Sequence, residues 1–164
     1  MQAQEQQFFS TNGRAMLEAM IDAEIQVAKR IIYLGAHAVA FVPACARYPY
    51  EVWIAPRLAV PDFTHLTPPQ RTDLARALKL TLMKYDGLWG MPMPYIMAWY
   101  QGPFDGSPRS AYHLHAECYP AYRMKGRLKY LAGTEVAAGM FVNDTFPEDK
   151  AQELQAVTVP SLDQ

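Results

Sequence analysis

Side chains that can bind a metal alternate with small or apolar ones along residues 112–120. A period of two is that of a β-strand, whose successive side chains point to opposite faces. One face of the predicted strand carries His113, His115, Glu117 and Tyr119. The other face carries the packing residues Tyr112, Leu114, Ala116 and Cys118. Two imidazoles and a carboxylate would thus share one space, as in a metal centre, although an ordinary polar face of an edge strand has the same pattern.

A second carboxylate stands out on a predicted amphipathic helix over 14–29. Its apolar stripe is formed by Leu17, Met20, Ile21 and Ala28. Glu24 lies on that stripe, where a carboxylate needs a partner to offset the loss of water. The alternative is a boundary residue whose carboxylate reaches solvent.

The elements that must position these groups follow from hydrophobic periodicity and turn residues. Strands are predicted over 30–34, 38–43, 50–55, 95–100 and 111–119. Further helices are predicted from Pro68, capped by Thr67, to Gly87 and from Pro147 to Ala156. The segment 129–139 fits neither pattern. This order predicts an α+β fold, a mostly antiparallel sheet with helices packed on one side.

Composition limits the classes of function. The 164 residues predict a single domain over 1–164, with 1–13 and 159–164 flexible. A net charge of -1 argues against a nucleic-acid partner, and no apolar run is long enough for a membrane span. Met1 to Gln7 lacks the character of a secretion signal, so we expect a cytoplasmic protein with Cys45 and Cys118 reduced.

Several motifs, in order and spacing, resemble the C-terminal half of the galactose-1-phosphate uridylyltransferase family, within the histidine-triad superfamily. They are Phe41-Val42-Pro43, Pro49-Tyr50-Glu51, Ile54-Ala55-Pro56-Arg57, Pro92-Met93-Pro94-Tyr95, His113-Leu114-His115-Ala116-Glu117, 128–135, and Asn143-Asp144 before Pro147-Glu148. The resemblance implies a histidine-triad-like fold. It also implies ping-pong transfer of a uridylyl group between UDP-glucose and galactose 1-phosphate through a covalent histidine intermediate.

The family's nucleophile motif, His-Pro-His-Gly-Gln, belongs to its N-terminal half and does not occur in these 164 residues. A glycine-rich phosphate loop that opens a helix is also missing from the sequence. We therefore expect no catalytic residue in the chain alone. A UDP-sugar and a hexose 1-phosphate would bind once an N-terminal half completes the site, and the family implies a homodimer or a partner half.

The resemblance also implies a second metal site, which carries over onto Glu24, Tyr100, His115 and Glu117. Tyr100 departs from the family's histidine, and His113 can supply the missing nitrogen. Such a set suits zinc, iron or manganese. The alternative is a hydrogen-bonded cluster without a metal.

The segment 129–135 resembles the family loop that binds the sugar and reaches into the other subunit's active site. The substrate-binding residues implied there are Lys129, Gly133 and Glu135. Lys129 suits the sugar phosphate, Glu135 can accept hydrogen bonds from sugar hydroxyls, and Gly133 lets the backbone approach the ring. The alternative is a surface loop with an ordinary ion pair.

Two other functions stay open on the sequence. In one, His115 is the nucleophile of a stand-alone histidine-triad nucleotidyl transferase or hydrolase, although the charge of Glu117 would repel a phosphate there. In the other, the chain is a non-catalytic module that binds a sugar phosphate or a nucleotide.

Overall fold

A computed structural model describes residues 2–162 of the chain. The strands are β1 Ile31–Leu34, β2 Ala38–Phe41, β3 Val52–Pro56, β4 Tyr95–Tyr100, β5 His115–Pro120, β6 Tyr122–Met124 and β7 Arg127–Leu128. The helices are α1 Gln2–Asn12, α2 Met16–Val27, α3 Pro68–Gly87, α4 Gly133–Ala138 and α5 Pro147–Ala156. A short 3-10 turn, Phe63–His65, precedes α3.

Five of the strands form one antiparallel sheet in the order β1-β2-β3-β5-β4. The strand β5 is therefore central, between β3 and the edge strand β4. Its register pairs Glu117 with Trp53 on one side and with Ala98 on the other, and pairs His115 with Tyr100. The strands β6 and β7 form a separate hairpin.

The larger core lies between one face of this sheet and the helices α3 and α5. The sheet contributes the buried side chains Ala38, Ala40, Val42, Val52, Ile54, Leu114, Ala116 and Cys118. The helices contribute Leu74, Ala77, Tyr85, Ala151 and Leu154. The α+β class with a helical layer over an antiparallel sheet is thus confirmed.

A smaller core lies on the opposite face, under α2. Leu17 and Ile21 of α2 pack on Val39, Phe41 and Ala55 of the strands β2 and β3. Helices were expected on one side of the sheet only, so the position of α2 on this face differs from the prediction. It leaves the β5 part of the same face for polar side chains.

The helix α3 begins where the sequence predicted. The hydroxyl of Thr67 accepts a hydrogen bond from the backbone N–H of Gln70, and the Gln70 side chain accepts one from the N–H of Thr67. This capping box satisfies two of the four free N–H groups of a helix start. The helix α5 has the predicted bounds.

The hairpin of β6 and β7 was not predicted, the predicted strands 38–43 and 50–55 are observed as β2 Ala38–Phe41 and β3 Val52–Pro56, and three further segments differ from the sequence prediction. The predicted strand 111–119 begins only at His115, because the N–H of Leu114 donates to the carbonyl of Val60 instead of to a ladder partner. The segment 129–139 contains α4, whose first turn is stabilised by Glu135, which accepts from the N–H of Ala132. The segment 2–12 is helical, where no element was predicted; its flexibility stays a prediction.

Within residues 2–162, no helix has the length and apolarity to cross a membrane.

Candidate functional site

The candidate site lies on the β5 half of the sheet face that α2 leaves open. His115, Glu117 and Tyr119 alternate along β5 and point to this face, while Ala116 and Cys118 point into the larger core. Tyr100, on the neighbouring strand β4, pairs with His115. The predicted strand period therefore brings His115, Glu117 and Tyr119 together.

Both ring nitrogens of His115 lie against acceptor oxygens. Nδ1 is 2.8 Å from the carbonyl oxygen of His113, and Nε2 is 3.3 Å from Oε1 of Glu117. The ring stacks on that of Tyr100, with centroids 5.0 Å apart and planes at 12°, and it also contacts Trp53. The imidazole is buried, and aromatic rings and oxygen atoms surround it.

Glu117 is buried and accepts hydrogen bonds at both carboxylate oxygens. His115 contacts Oε1, and Oε2 accepts from Arg47 at 2.6 Å and from the hydroxyl of Tyr119. Burial by itself would raise the pKa of Glu117, but the hydrogen bonds from His115 and Tyr119 outweigh it and lower that pKa. The carboxylate is therefore ionised at neutral pH.

Arg47 connects this carboxylate to a second one. Its guanidinium donates to Glu117 and, at 2.7 Å, to the Tyr119 hydroxyl, and it lies 3.5 Å from Oε1 of Glu51. The fully buried Glu51 also accepts from the backbone N–H of Arg47 at 2.7 Å and from the indole of Trp53 at 2.8 Å. Burial works to lower the pKa of Arg47, but the neighbouring carboxylates of Glu51 and Glu117 and the hydroxyl of Tyr119 raise it overall.

His113 lies just outside the strand and faces elsewhere. Its Nε2–H donates to the carbonyl of Pro56 at 2.8 Å, which leaves Nδ1 as the free acceptor, and within residues 2–162 this buried nitrogen has no hydrogen-bond partner. Burial lowers the pKa of His113 to about 4, so the ring is neutral at physiological pH.

Glu24 is paired with an arginine instead of joining His115. Its carboxylate accepts from Arg30 at 2.9 and 3.0 Å, and Arg30 also bridges to Glu148 of α5. The buried carboxylate on the apolar stripe has thus found the partner that its position requires, six residues further along the chain.

The implied metal donors do not fit a metal in this arrangement. Among the described residues, no three side chains of His, Cys, Asp or Glu converge on one point. The structure brings His115, Glu117 and Tyr100 together, but Tyr100 stacks on the imidazole, and Glu24 is held by Arg30. The metal site therefore has no geometric support here.

Lys129 and Glu135 form an ion pair of 2.8 Å that is buried inside their own segment. Nζ of Lys129 also donates to the carbonyls of Arg47 and Val142, and Glu135 accepts from the N–H groups of Ala132 and Val142. The hydrogen bonds, with that from Lys129 first, lower the pKa of Glu135 to about 2. Gly133 begins α4 and is exposed.

Arg47 was missed by the sequence analysis. It is 70 residues from Glu117, and nothing in its sequence neighbourhood singles it out. Glu51 and Tyr119 were noted, in a motif and on the strand face, but were not placed in the site. The nearest sequence signal for Arg47 was the motif Pro49-Tyr50-Glu51, which begins two residues after it.

Comparison with known proteins identifies relatives of the chain in sequence and in fold. Residues 2–162 match the sequence family described as galactose-1-phosphate uridyl transferase, C-terminal domain. The chain is 34% identical over 132 residues to galactose-1-phosphate uridylyltransferase of Thermotoga maritima, which covers 80% of this chain. A solved uridylyltransferase structure superposes with a TM-score of 0.86 at 37% identity over 94% of this chain.

The likeness extends to more distant folds and covers only part of the relatives. A histidine-triad-like protein from Bartonella henselae, 13% identical, shares the fold with a TM-score of 0.53 over 84% of this chain and 95% of its own. By contrast, this chain spans 42% of the Thermotoga relative and 48% of the solved uridylyltransferase. It thus matches about half of the transferase relatives and nearly all of the smaller fold neighbour.

Proposed function

Because the chain belongs to the galactose-1-phosphate uridylyltransferase family, as its C-terminal domain, we propose that it forms one side of a uridylyl-transfer site. In this proposal the β5 face and the segment 129–135 hold the sugar phosphate. The attacking histidine comes from a partner half that carries the family's His-Pro-His motif. The substrates are then a UDP-sugar and a hexose 1-phosphate, and we expect the complex in the cytoplasm.

The state of His115 carries this proposal. A nucleophilic imidazole attacks phosphorus with a ring nitrogen whose lone pair is free and in line with the leaving group. Here Nδ1 is engaged with the carbonyl of His113 and Nε2 with Glu117. The ionised carboxylate of Glu117 also repels a phosphate at the position where attack would occur. These contacts argue against a stand-alone enzyme that uses His115.

The edge strand β4 is where we place the partner half. β4 is the open edge next to β5, and Ile96, which pairs with Tyr119, leaves 71% of its surface exposed. An unpaired edge with an exposed apolar side chain is suited to pairing with another chain. A half docked there would lie beside the strand that carries His115 and Glu117.

The sugar-binding residues require one rearrangement. In the chain by itself Lys129 and Glu135 satisfy each other and nearby backbone groups. A sugar hydroxyl or phosphate must replace at least one of these bonds. The neighbouring Tyr130, 83% exposed, and the exposed Gly133 are free of such bonds in the described structure and can be covered by a second copy or by the sugar.

The test is to supply the missing half. The chain is purified alone and co-expressed with the N-terminal half of the Thermotoga relative, and both samples are assayed with UDP-glucose and galactose 1-phosphate. We expect no transfer by the chain alone and transfer by the pair. A variant pair with the partner's nucleophilic histidine replaced is the control. Transfer by the chain alone would contradict the proposal, as would failure of the two halves to associate.

A further inference from the structure

We propose that Arg47 is the resident cation of the β5 face and that this face is built to work without a metal ion. The resemblance implies a metal held by Glu24, His115 and Glu117, and the contacts of these residues assign each of them another partner. The inference concerns this chain's own charge balance, and it stands or fails separately from the transfer reaction.

One oxygen of the Glu117 carboxylate, Oε2, is already paired with a cation. Oε2 accepts two hydrogen bonds, from Arg47 at 2.6 Å and from Tyr119, and Oε1 faces His115. A divalent cation bound at Oε2 would have to displace the guanidinium and then lie beside it. Two like charges that close together repel each other strongly inside a buried site.

His115 and Glu117 supply at most two ligands, fewer than the three or four of a protein metal centre. A histidine that binds zinc uses one ring nitrogen for the metal and donates the other to an oxygen. Here Nδ1 makes that second type of contact, with the carbonyl of His113, and Nε2 lies 3.3 Å from Oε1 of Glu117, but among the described residues no third His, Cys, Asp or Glu side chain joins them. On one face the ring is covered by Tyr100.

The guanidinium of Arg47, whose side chain is 36% exposed, packs against two aromatic rings. It lies over the ring of Tyr119, 4.8 Å from its centroid, and near Phe141 at 5.7 Å. Its backbone is held from two sides, because its N–H donates to Glu51 and its carbonyl accepts from Lys129. These contacts also tie the cation directly to the predicted sugar-binding segment.

A second arginine, Arg30, neutralises Glu24, the third implied metal donor. Arg30 holds Glu24 through two of its nitrogens and Glu148 through the third, so a metal is not needed to offset that buried carboxylate. One atom remains that could accept a metal, Nδ1 of His113. A single nitrogen does not make a centre, which needs three or four protein ligands.

The first experiment measures metal directly. The full chain is expressed with zinc, iron and manganese added to the medium, and its metal content is measured by mass spectrometry after gel filtration. Its thermal midpoint is then recorded with EDTA and with each of the three metals alone. We expect no stoichiometric metal and an unchanged midpoint. One metal per chain, lost in Glu24→Gln or His115→Gln, would overturn the proposal.

The second experiment tests the cation itself. Arg47→Met leaves two buried carboxylates without their partner, so we expect a clearly lower thermal midpoint, with partial recovery in Arg47→Lys. Arg123→Met is the matched control, because Arg123 pairs with Asp144 at the exposed surface, and its midpoint should stay at the wild-type value. A wild-type midpoint for Arg47→Met would overturn the proposal. If that variant does not fold, Arg47→Lys and the metal content of the wild type still decide the question.

Discussion

The two faces of β5 are stabilised in different ways, one by apolar packing and the other by hydrogen bonds and ion pairs. On one face Ala116 and Cys118, together with Leu114 just before the strand, are completely buried in the core under α3 and α5 and make no ionic contact. On the other, His115 and Glu117 are almost as buried but are surrounded by hydrogen-bonding partners. The first face is held by packing, which any apolar side chain of the right volume can provide. The second is held by a set of partners that must all be present.

The packing face should show the largest effect of a single truncation. Leu114→Ala removes a completely buried side chain and leaves a cavity under α3, so we expect a loss of about 3 to 4 kcal/mol in the free energy of unfolding. Urea denaturation measures it. Leu58→Ala is the control, because Leu58 is exposed and should change the value by about 0.5 kcal/mol or less. Equal effects at the two positions would break the comparison.

The second-largest effect is expected from acid, which should lower the free energy of unfolding through His113. The pKa of His113 is lowered from 6.5 to about 4 by burial, so between these values the unfolded chain binds a proton that the folded chain does not. Stability is therefore full above pH 6.5 and falls as the pH drops toward 4, by at most about 3 kcal/mol. Urea denaturation across that range measures the slope.

The control for this pH dependence is His113→Gln, which removes the titrating ring and should flatten the slope between pH 6.5 and 4. The carboxylate of Glu135 acts at lower pH. Its pKa is about 2, so its contribution is present above 4.5 and is lost only as the pH falls from 4.5 toward 2. An undiminished slope in His113→Gln would mean that another group causes it.

The smallest effect is expected for the charge of Glu117, and it is compared with the charge of an exposed ion pair. Glu117→Gln keeps the shape but removes the charge that faces Arg47 and His115, and we expect a loss of about 1 to 2 kcal/mol in the free energy of unfolding. Asp144→Asn, in the exposed pair with Arg123, should cost about 0.5 kcal/mol or less. If both variants lose the same amount, the buried network is no stronger than a surface pair.

The sequence predicted the packing face better than the polar one. A period of two places Ala116 and Cys118 on one side of a strand and His115 and Glu117 on the other, because the alternation is a local property of the backbone. The partners of those polar groups are not local. Arg47 reaches Glu117 from 70 residues away in the chain, and it lies in the connection that leads into β3, the strand that pairs with β5.

Glu24 and α4 are two further cases in which the sequence pattern alone did not give the observed contacts. The pattern indicated that Glu24 needed a partner, and the partner is Arg30, six residues further along the chain, where the resemblance implied a metal. The helix α4 was missed because its start depends on Glu135, which accepts from the N–H of Ala132, within a segment shaped by the contacts of Lys129 with distant carbonyls. Tertiary contacts overrode weak local preferences there.

The account rests on the claim that the β5 face holds a substrate and does not attack it. The most direct test is the intact mass of this chain after incubation with UDP-glucose, alone and together with a family N-terminal half, followed by peptide mapping. We predict no uridylyl group on this chain in either sample and an adduct on the partner's histidine in the second. A uridylyl adduct on His115 would contradict the account.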